Sequence, residues 1–316
     1  MKIAVIMSVY NGEKYIREQI GSIFAQKGVD VHIFVRDDGS KDSTPDILRE
    51  YQEKYPDMFS FVNSSNIVNY GVKKSFLGLL KYVYDRHADM EYFCFADQDD
   101  VWLEDKLSAA VELLEAEPDN PKGKLYYSNK TFVDQDLKLI KEENIRYYGD
   151  FAEAMWNSSL AYGCTMVFDR TLTGYALRHY PQVKCIHDSW VYRLAKSIGS
   201  TIVFDKNSYI LYRQHGNNEV GMEGAKLHHT SLAFFVKRFL PLLFLKRTHH
   251  MQNFFREIND NYYDELGENE KKAIGQLIRY RFSLINKIRL IRNRDIRKRP
   301  LKTRLVWAYS MIFNRY

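Results

Sequence analysis

Four short apolar runs at 2–9, 31–36, 59–63 and 92–96, dense in β-branched and aromatic residues, alternate with stretches of helical spacing at 13–26, 44–55, 73–87 and 103–116. Parallel strands need long crossovers, and a helix is the usual crossover. The alternation therefore predicts an α/β domain on a mostly parallel sheet. Tyr15, Ile16, Gln19, Ile20, Ile23 and Phe24 recur near the helical period, Thr44-Pro45 supplies a cap and a first-turn proline, and Pro118 and Pro121 close the fourth helix. Past 124 the order becomes mixed, with strands near 125–133, 162–168 and 201–212 and helices near 151–159, 170–179 and 188–198, as antiparallel additions to the sheet would require.

The fourth strand runs directly into Asp97-Gln98-Asp99-Asp100. Carboxylates crowded at a strand end repel one another and resist desolvation, and a hard divalent cation, Mg²⁺ or Mn²⁺, relieves both costs. A second acidic turn, Arg36-Asp37-Asp38-Gly39-Ser40, follows the second strand. Asp-rich turns also form for local reasons, because the side chain bonds nearby backbone. Two of them, each at the carboxyl end of a strand, point instead to one shared ligand.

With 316 residues, 45% of them hydrophobic, the chain can bury a large core and carry an appendage, which excludes a disordered protein. Cys94, Cys164 and Cys185 form no CxxC pair, which favours a reducing, cytoplasmic setting. The run at 2–9 is short, β-branched and ends in Tyr10-Asn11-Gly12, so it reads as a first strand and not as a signal sequence. The net charge of +6 hides an asymmetry: residues 1–225 hold 26 Lys/Arg and 33 Asp/Glu, and residues 226–316 hold 20 and 7. That division predicts an acidic catalytic region, 1–220, and a basic helical region, 221–316, drawn to an anionic surface of lipid or nucleic acid. The glycine- and asparagine-containing stretch 216–230 reads as a hinge or lid. The apolar segment 232–247 is broken by Lys237, Arg238 and Pro241, and a bilayer crossing needs about 20 mostly apolar residues. Either it lies in the headgroup region with a basic helix at 273–299 and the terminal Trp307, Tyr309 and Phe313, or it packs as helices on the catalytic domain.

The stretches Val5-Ile6-Met7-Ser8-Val9-Tyr10-Asn11-Gly12, Asp37-Asp38-Gly39-Ser40, Phe95-Ala96-Asp97-Gln98-Asp99-Asp100, His187-Asp188-Ser189-Trp190 and Tyr212-Arg213-Gln214-His215-Gly216-Asn217-Asn218 together resemble glycosyltransferase family 2. Within it the chain is most similar to the rhamnosyltransferase-type enzymes of bacterial polysaccharide assembly. The resemblance covers about residues 1–220 and implies a Rossmann-like GT-A domain that transfers a sugar from a nucleotide-diphosphate donor with inversion at the anomeric carbon.

The same resemblance assigns roles. Asp99 is the leading metal ligand, Asp97 either supports it or reaches the ribose or a metal-bound water, and His215 completes the metal shell. Asp38 accepts a hydrogen bond from the base, with Ser8, Val9 and Tyr10 flanking base and ribose and Gln98 beside them, while Asp37 is equally well a turn former. The loop at 63–74, with Gly71 and Lys74 opening a helix, suits the donor phosphates. Many relatives have Ala-Arg-Asn near here where this chain has Lys73-Lys74-Ser75. Asp188 matches the base that takes the acceptor hydroxyl's proton, or caps a helix at 189–198. Trp102 and Trp190 either stack on a sugar or pack in the core. The expected donor is dTDP-L-rhamnose or else a UDP-sugar, the acceptor a lipid-linked glycan, and the location the cytoplasmic face of the membrane. A sugar nucleotidyltransferase would need an early glycine-rich basic phosphate loop that this sequence lacks, and intact Asp38, Asp99 and Asp188 argue against a non-catalytic nucleic-acid-binding protein.

Overall fold

The computed structural model describes residues 1–145, 147, 149–152, 161–215, 249–293 and 301–314. Strands β1 (Lys2–Val9), β2 (Asp30–Asp37) and β3 (Phe59–Phe61) are joined by helices α1 (Ile16–Phe24) and α2 (Thr44–Lys54), and α3 (Val72–Arg86) leads into β4 (Tyr92–Ala96). The short β5 (Val101–Trp102) precedes α4 (Lys106–Glu115), β6 (Lys124–Val133) and β7 (Leu139–Glu142). After them come β8 (Val167–Asp169), α5 (Arg170–Arg178), α6 (His187–Ile198) and β9 (Thr201–Arg213). Among the described residues one sheet holds nine strands in the order β3-β2-β1-β4-β8-β6-β9-β5, with β7 paired to β6. The first four neighbours are parallel, β8 is inserted antiparallel between β4 and β6, and β9 returns parallel to β6.

The sheet is buried on both faces. Ile3, Val5, Met7 and Val9 of β1 face α1, α2 and α4, while Ala4 and Ile6 face a second core with α3, α5 and α6, as the two-residue strand period demands. The second core continues into α7 (His250–Tyr262), α8 (Glu268–Arg279), α9 (Leu284–Arg292) and α10 (Leu301–Ile312). Phe254 and Tyr262 of α7 meet the Trp190 ring of α6 at centroid distances of 5.7 and 6.2 Å, and Trp307 and Met311 of α10 are buried in the same cluster. Each such aromatic removes enough apolar surface from water to contribute roughly 2–3 kcal/mol, so these helices are held on the sheet domain by the hydrophobic effect.

Three elements differ from the sequence expectation. The strand near 162–168 begins as a 3-10 turn, Gly163–Thr165, because the Thr165 amide and hydroxyl both donate to the Tyr162 carbonyl at 2.9 Å. The basic helix at 273–299 is divided by a 3-10 turn at Tyr280–Phe282, after which the Ser283 hydroxyl caps α9 by accepting from the Asn286 amide. Trp307, left open by the sequence between a membrane surface and packing on the catalytic domain, is core. The hinge or lid at 216–230, the apolar segment 232–247 and most of the helix near 151–159 lie outside the described residues. Among the described residues no helix is long and apolar enough to cross a membrane.

Candidate active site

Register places the site. Val9 pairs with Asp37 and Met7 with Ala96, so β1 and β2 end level, β4 ends two residues earlier, and the three deliver Tyr10, Asp38 and Asp97 to one end of the sheet. A cleft of about 250 Å³ opens there, lined by Ser8, Val9, Tyr10, Asp38, Asp97, Gln98, Asp99 and Asp188 from the motifs. Its wall is completed by Val72 and Phe76 of α3, Tyr162, Gly163, Ile186, His187 and Tyr212.

The two aspartates of the second turn divide their work. Asp37 accepts from the Gly39 and Ser40 amides at 2.8 and 2.7 Å and forms the turn. The Asp38 carboxylate accepts from the Tyr70 amide at 2.7 Å, the Gly71 amide at 2.8 Å and the Arg36 guanidinium at 2.7 Å. A carboxylate has about four acceptor positions, so three bonds fix its direction and leave one for a ligand. Gly71 can reach it because its backbone takes φ +78°, where a side chain would be strained. Gly71 and Lys74 themselves do not line the cleft: the glycine amide faces Asp38, and the exposed Lys74 ammonium lies 4.2 Å over the Tyr70 ring. The start of α3 does face it, through Val72 and Phe76.

Gln98 is chiefly a clamp, accepting from the Tyr10 amide at 2.8 Å and donating to the Tyr10 carbonyl at 3.0 Å, which ties the end of β1 to the acidic turn. Asp97 is pushed up to about 7, first by burial and then by the neighbouring charges of Asp99 and Asp188. Asp99 Oδ2 lies 2.7 Å from His215 Nε2, which brings these two expected metal ligands together. Asp100 turns inward, fully buried. It accepts from the Arg213 amide at 3.1 Å, while its Oδ2 has no hydrogen-bond partner and burial raises its carboxyl well above the ordinary range. Arg213 holds the whole turn, donating to the Asp99 carbonyl at 2.8 Å and pairing with Glu18. Behind it the buried Lys130 ammonium sits 4.0 Å from Glu143 and against the rings of Tyr162 and Tyr212, without a hydrogen-bond partner, and its charge offsets part of that of Asp97 and Asp100.

This donor set fits a hard divalent ion. Carboxyl groups raised by burial and then by mutual repulsion, one with an orphaned buried oxygen, are what a bound cation relieves. Ligand atoms of Asp97, Asp100 and Cys164 also lie within 4.8 Å of one another, a grouping the motifs did not reveal. Burial keeps the Cys164 thiol protonated, so oxygen and imidazole donors suit Mg²⁺ or Mn²⁺ better.

Asp188 lies in the first turn of α6, whose cap is Ile186, so it is not the capping residue. Its Oδ2 accepts from the Gly163 amide at 3.0 Å, its Oδ1 from the Ser189 amide, and burial raises its carboxyl above the usual value. A Cβ at Gly163 would stand 3.0 Å from His187 Nε2 and 3.3 Å from Asp188 Cβ, which explains a glycine there. His187 lies flat on Phe76 at 3.9 Å, and burial lowers it to about 3, so its imidazole is neutral.

Both tryptophan assignments to a sugar are corrected. Trp190 is fully buried, its indole donating to the Ala176 carbonyl at 3.0 Å, and Trp102 is buried under the Lys106 ammonium at 3.7 Å. Neither face is open to solvent. The aromatic surfaces in the cleft are Tyr10, Phe76, Tyr162, His187 and Tyr212. Tyr162 gave no signal in the sequence, whereas His187 and Tyr212 stood inside quoted motifs.

The chain matches the profile of glycosyl transferase family 2 over residues 4–174. It is 35% identical over 226 residues to dTDP-rhamnosyl transferase RfbG of Shigella flexneri, covering 68% of this chain and 73% of that one. Among solved structures it is similar to S. aureus TarS residues 1–349 in complex with UDP, at TM-score 0.54 and 19% identity over 99% of this chain and 80% of that one. It is also similar to the mannosyltransferase PcManGT from Pyrobaculum calidifontis in complex with GDP-Man and Mn²⁺, at TM-score 0.51 and 20% identity over 91% and 71%. With its GT-A sheet and this match over more than half its length, the chain belongs to glycosyltransferase family 2 and is a rhamnosyltransferase-like glycosyltransferase.

Proposed function

We propose that the protein is an inverting, metal-dependent glycosyltransferase that moves L-rhamnose from dTDP-L-rhamnose to a lipid-linked glycan, working at a membrane surface reached through its basic C-terminal region. The observation that carries this reading is the convergence of Asp38, Asp97, Asp99 and Asp188 on one cleft. The donor assignment is supported by the likeness to a dTDP-rhamnosyl transferase.

In this reading Asp38 orients the base, and Ser8, Val9 and Tyr10 flank the nucleoside. Asp97, Asp99 and His215 would hold Mg²⁺ or Mn²⁺, which when bound supplies charge neutralisation for the departing diphosphate. The acceptor hydroxyl oxygen attacks the anomeric carbon from the face opposite the diphosphate, the carbon–oxygen bond to the leaving group breaks with its electron pair, and Asp188 takes the hydroxyl proton. Its raised carboxyl makes it a stronger base than an exposed aspartate once ionised. The Gly163 and Ser189 amides hold that carboxylate in one direction.

A panel of dTDP-L-rhamnose, UDP-glucose, UDP-galactose and UDP-N-acetylglucosamine, read by released nucleoside diphosphate, tests the reading. The expected outcome is selective turnover of dTDP-L-rhamnose, abolished by EDTA and by Asp99→Ala. Preference for a UDP-sugar would overturn the donor, unchanged activity in Asp99→Ala the metal site, and release of pyrophosphate the reaction class.

A further inference from the structure

Helix α9 has two unlike faces. Leu290 is fully buried, whereas Phe282, Leu284, Ile285 and Ile288 are 78%, 65%, 62% and 46% exposed. Leu284, Ile285 and Ile288 stand at i, i+1 and i+4, which is one stripe of a helix, and Phe282 extends it at the N-terminal end. The Lys287 ammonium donates to the Ile312 carbonyl at 2.7 Å and so joins this stripe to the end of α10, where Ile312 and Phe313 are exposed as well. Contiguous exposed apolar groups of this kind mark an interaction surface.

Beside the stripe a depression of about 440 Å³ is lined by Lys272, Gln276, Ile288, Arg289, Arg292 and Asn293. Ile288 belongs to both features. The Asn293 side-chain amide donates to Gln276 Oε1 at 2.9 Å, bracing α8 against α9. Among the described residues no carboxylate forms an ion pair with Lys272, Arg289 or Arg292. From Lys271 to the last residue the sequence holds fourteen lysines and arginines, and Asp295 is its sole acidic residue.

We propose that this face docks on anionic phospholipid, with Phe282, Leu284, Ile285 and Ile288 entering the boundary between headgroups and acyl chains and Lys272, Arg289 and Arg292 holding a lipid phosphate. The proposal deepens the membrane-surface reading above and rests on it. Apolar insertion and cation–phosphate attraction are each weak alone, and stable attachment takes both, which here stand side by side. A second copy of the chain on the same face would set these cations against their own equivalents. Among the described lining residues of the depression no carboxylate stands ready to offset that like-charge opposition. The anchor differs from the one the sequence suggested, since Trp307 is buried and α9 carries the exposed apolar groups.

Flotation of the full chain with phosphatidylcholine vesicles, with and without about one-third phosphatidylglycerol, tests this. The wild type is expected to float with the anionic vesicles only, and added salt should release it. Leu284→Ser/Ile285→Ser and Arg289→Gln/Arg292→Gln should each weaken flotation about tenfold or more, with melting temperature and dTDP binding unchanged. Excess inorganic phosphate should not displace the protein. If the wild type does not float, the membrane reading fails with the proposal. If it floats and both variants float equally, this face alone is wrong. A fall in melting temperature in the apolar variant, its conversion from dimer to monomer, or displacement by phosphate would each overturn the proposal, by assigning the face to the chain's own residues, to a second copy or to a free anion.

Discussion

Asp97 and Asp188 illustrate how burial sets the chemistry of single side chains in this cleft. Asp188→Asn keeps an oxygen to accept from the Gly163 amide but cannot take a proton. Transfer is expected to fall by about 10²- to 10⁴-fold while dTDP affinity, read by calorimetry, stays within about twofold. Equal loss of both would make Asp188 structural. Asp97 is raised to about 7, so between its unfolded value near 3.8 and about 7 the folded protein keeps a proton that the unfolded chain loses. Stability contributed by this group therefore falls as pH rises through that window and stays low above it. In EDTA, Asp97→Asn is expected to melt above the wild type by several degrees at pH 8, and the gap should narrow steadily toward pH 4. A gap that is constant with pH would show that Asp97 is not the raised group. Asp38 and the carboxylates at 97–100 were legible in the sequence because they follow apolar runs, whereas Asp188 was reached through the family resemblance. The turn-forming part of Asp37 was legible too, because its partners Gly39 and Ser40 follow it directly, whereas the clamping part of Gln98 was not, because Tyr10 lies in a distant segment.

At the scale of elements, the patterned segments could be read, the short β3 among them, whereas β5 and β7 could not. β1 and β4 were found as expected because consecutive apolar side chains serve both buried faces of a central strand. β5 has two residues and exists only because β9 pairs with it, Val101 with Leu211 and Trp102 with Ile210. Helix α6 shows how an element can serve two masters, with Asp188 in its first turn at the cleft and Trp190 one residue pair further in, under α7. Trp190→Ala is expected to cost about 3–5 kcal/mol in chemical denaturation, because it opens a cavity between α6 and α7. A sugar-stacking role would instead raise KM and leave the denaturation midpoint in place.

For the whole molecule, one hydrophobic core links the sheet to the C-terminal helices through Phe254, Phe255, Ile258 and Tyr262. A chain ending at residue 220 would expose the α6 surface they cover. It is expected to lose cooperative unfolding by calorimetry and to bind a hydrophobic dye, whereas a sharp transition would establish residues 1–220 as an independent domain. The sequence by itself determined the α/β class, the acidic strand ends and the charge division between the two regions. Periodicity and composition are local properties that any window of the chain displays. Only the tertiary structure decided which aspartate faces the cleft and which the core, that both tryptophans are packing residues, and that α9 leaves its apolar stripe uncovered. Those outcomes depend on strand register and on which distant helix covers which face, and long-range contacts of that kind leave no periodic trace in a single sequence.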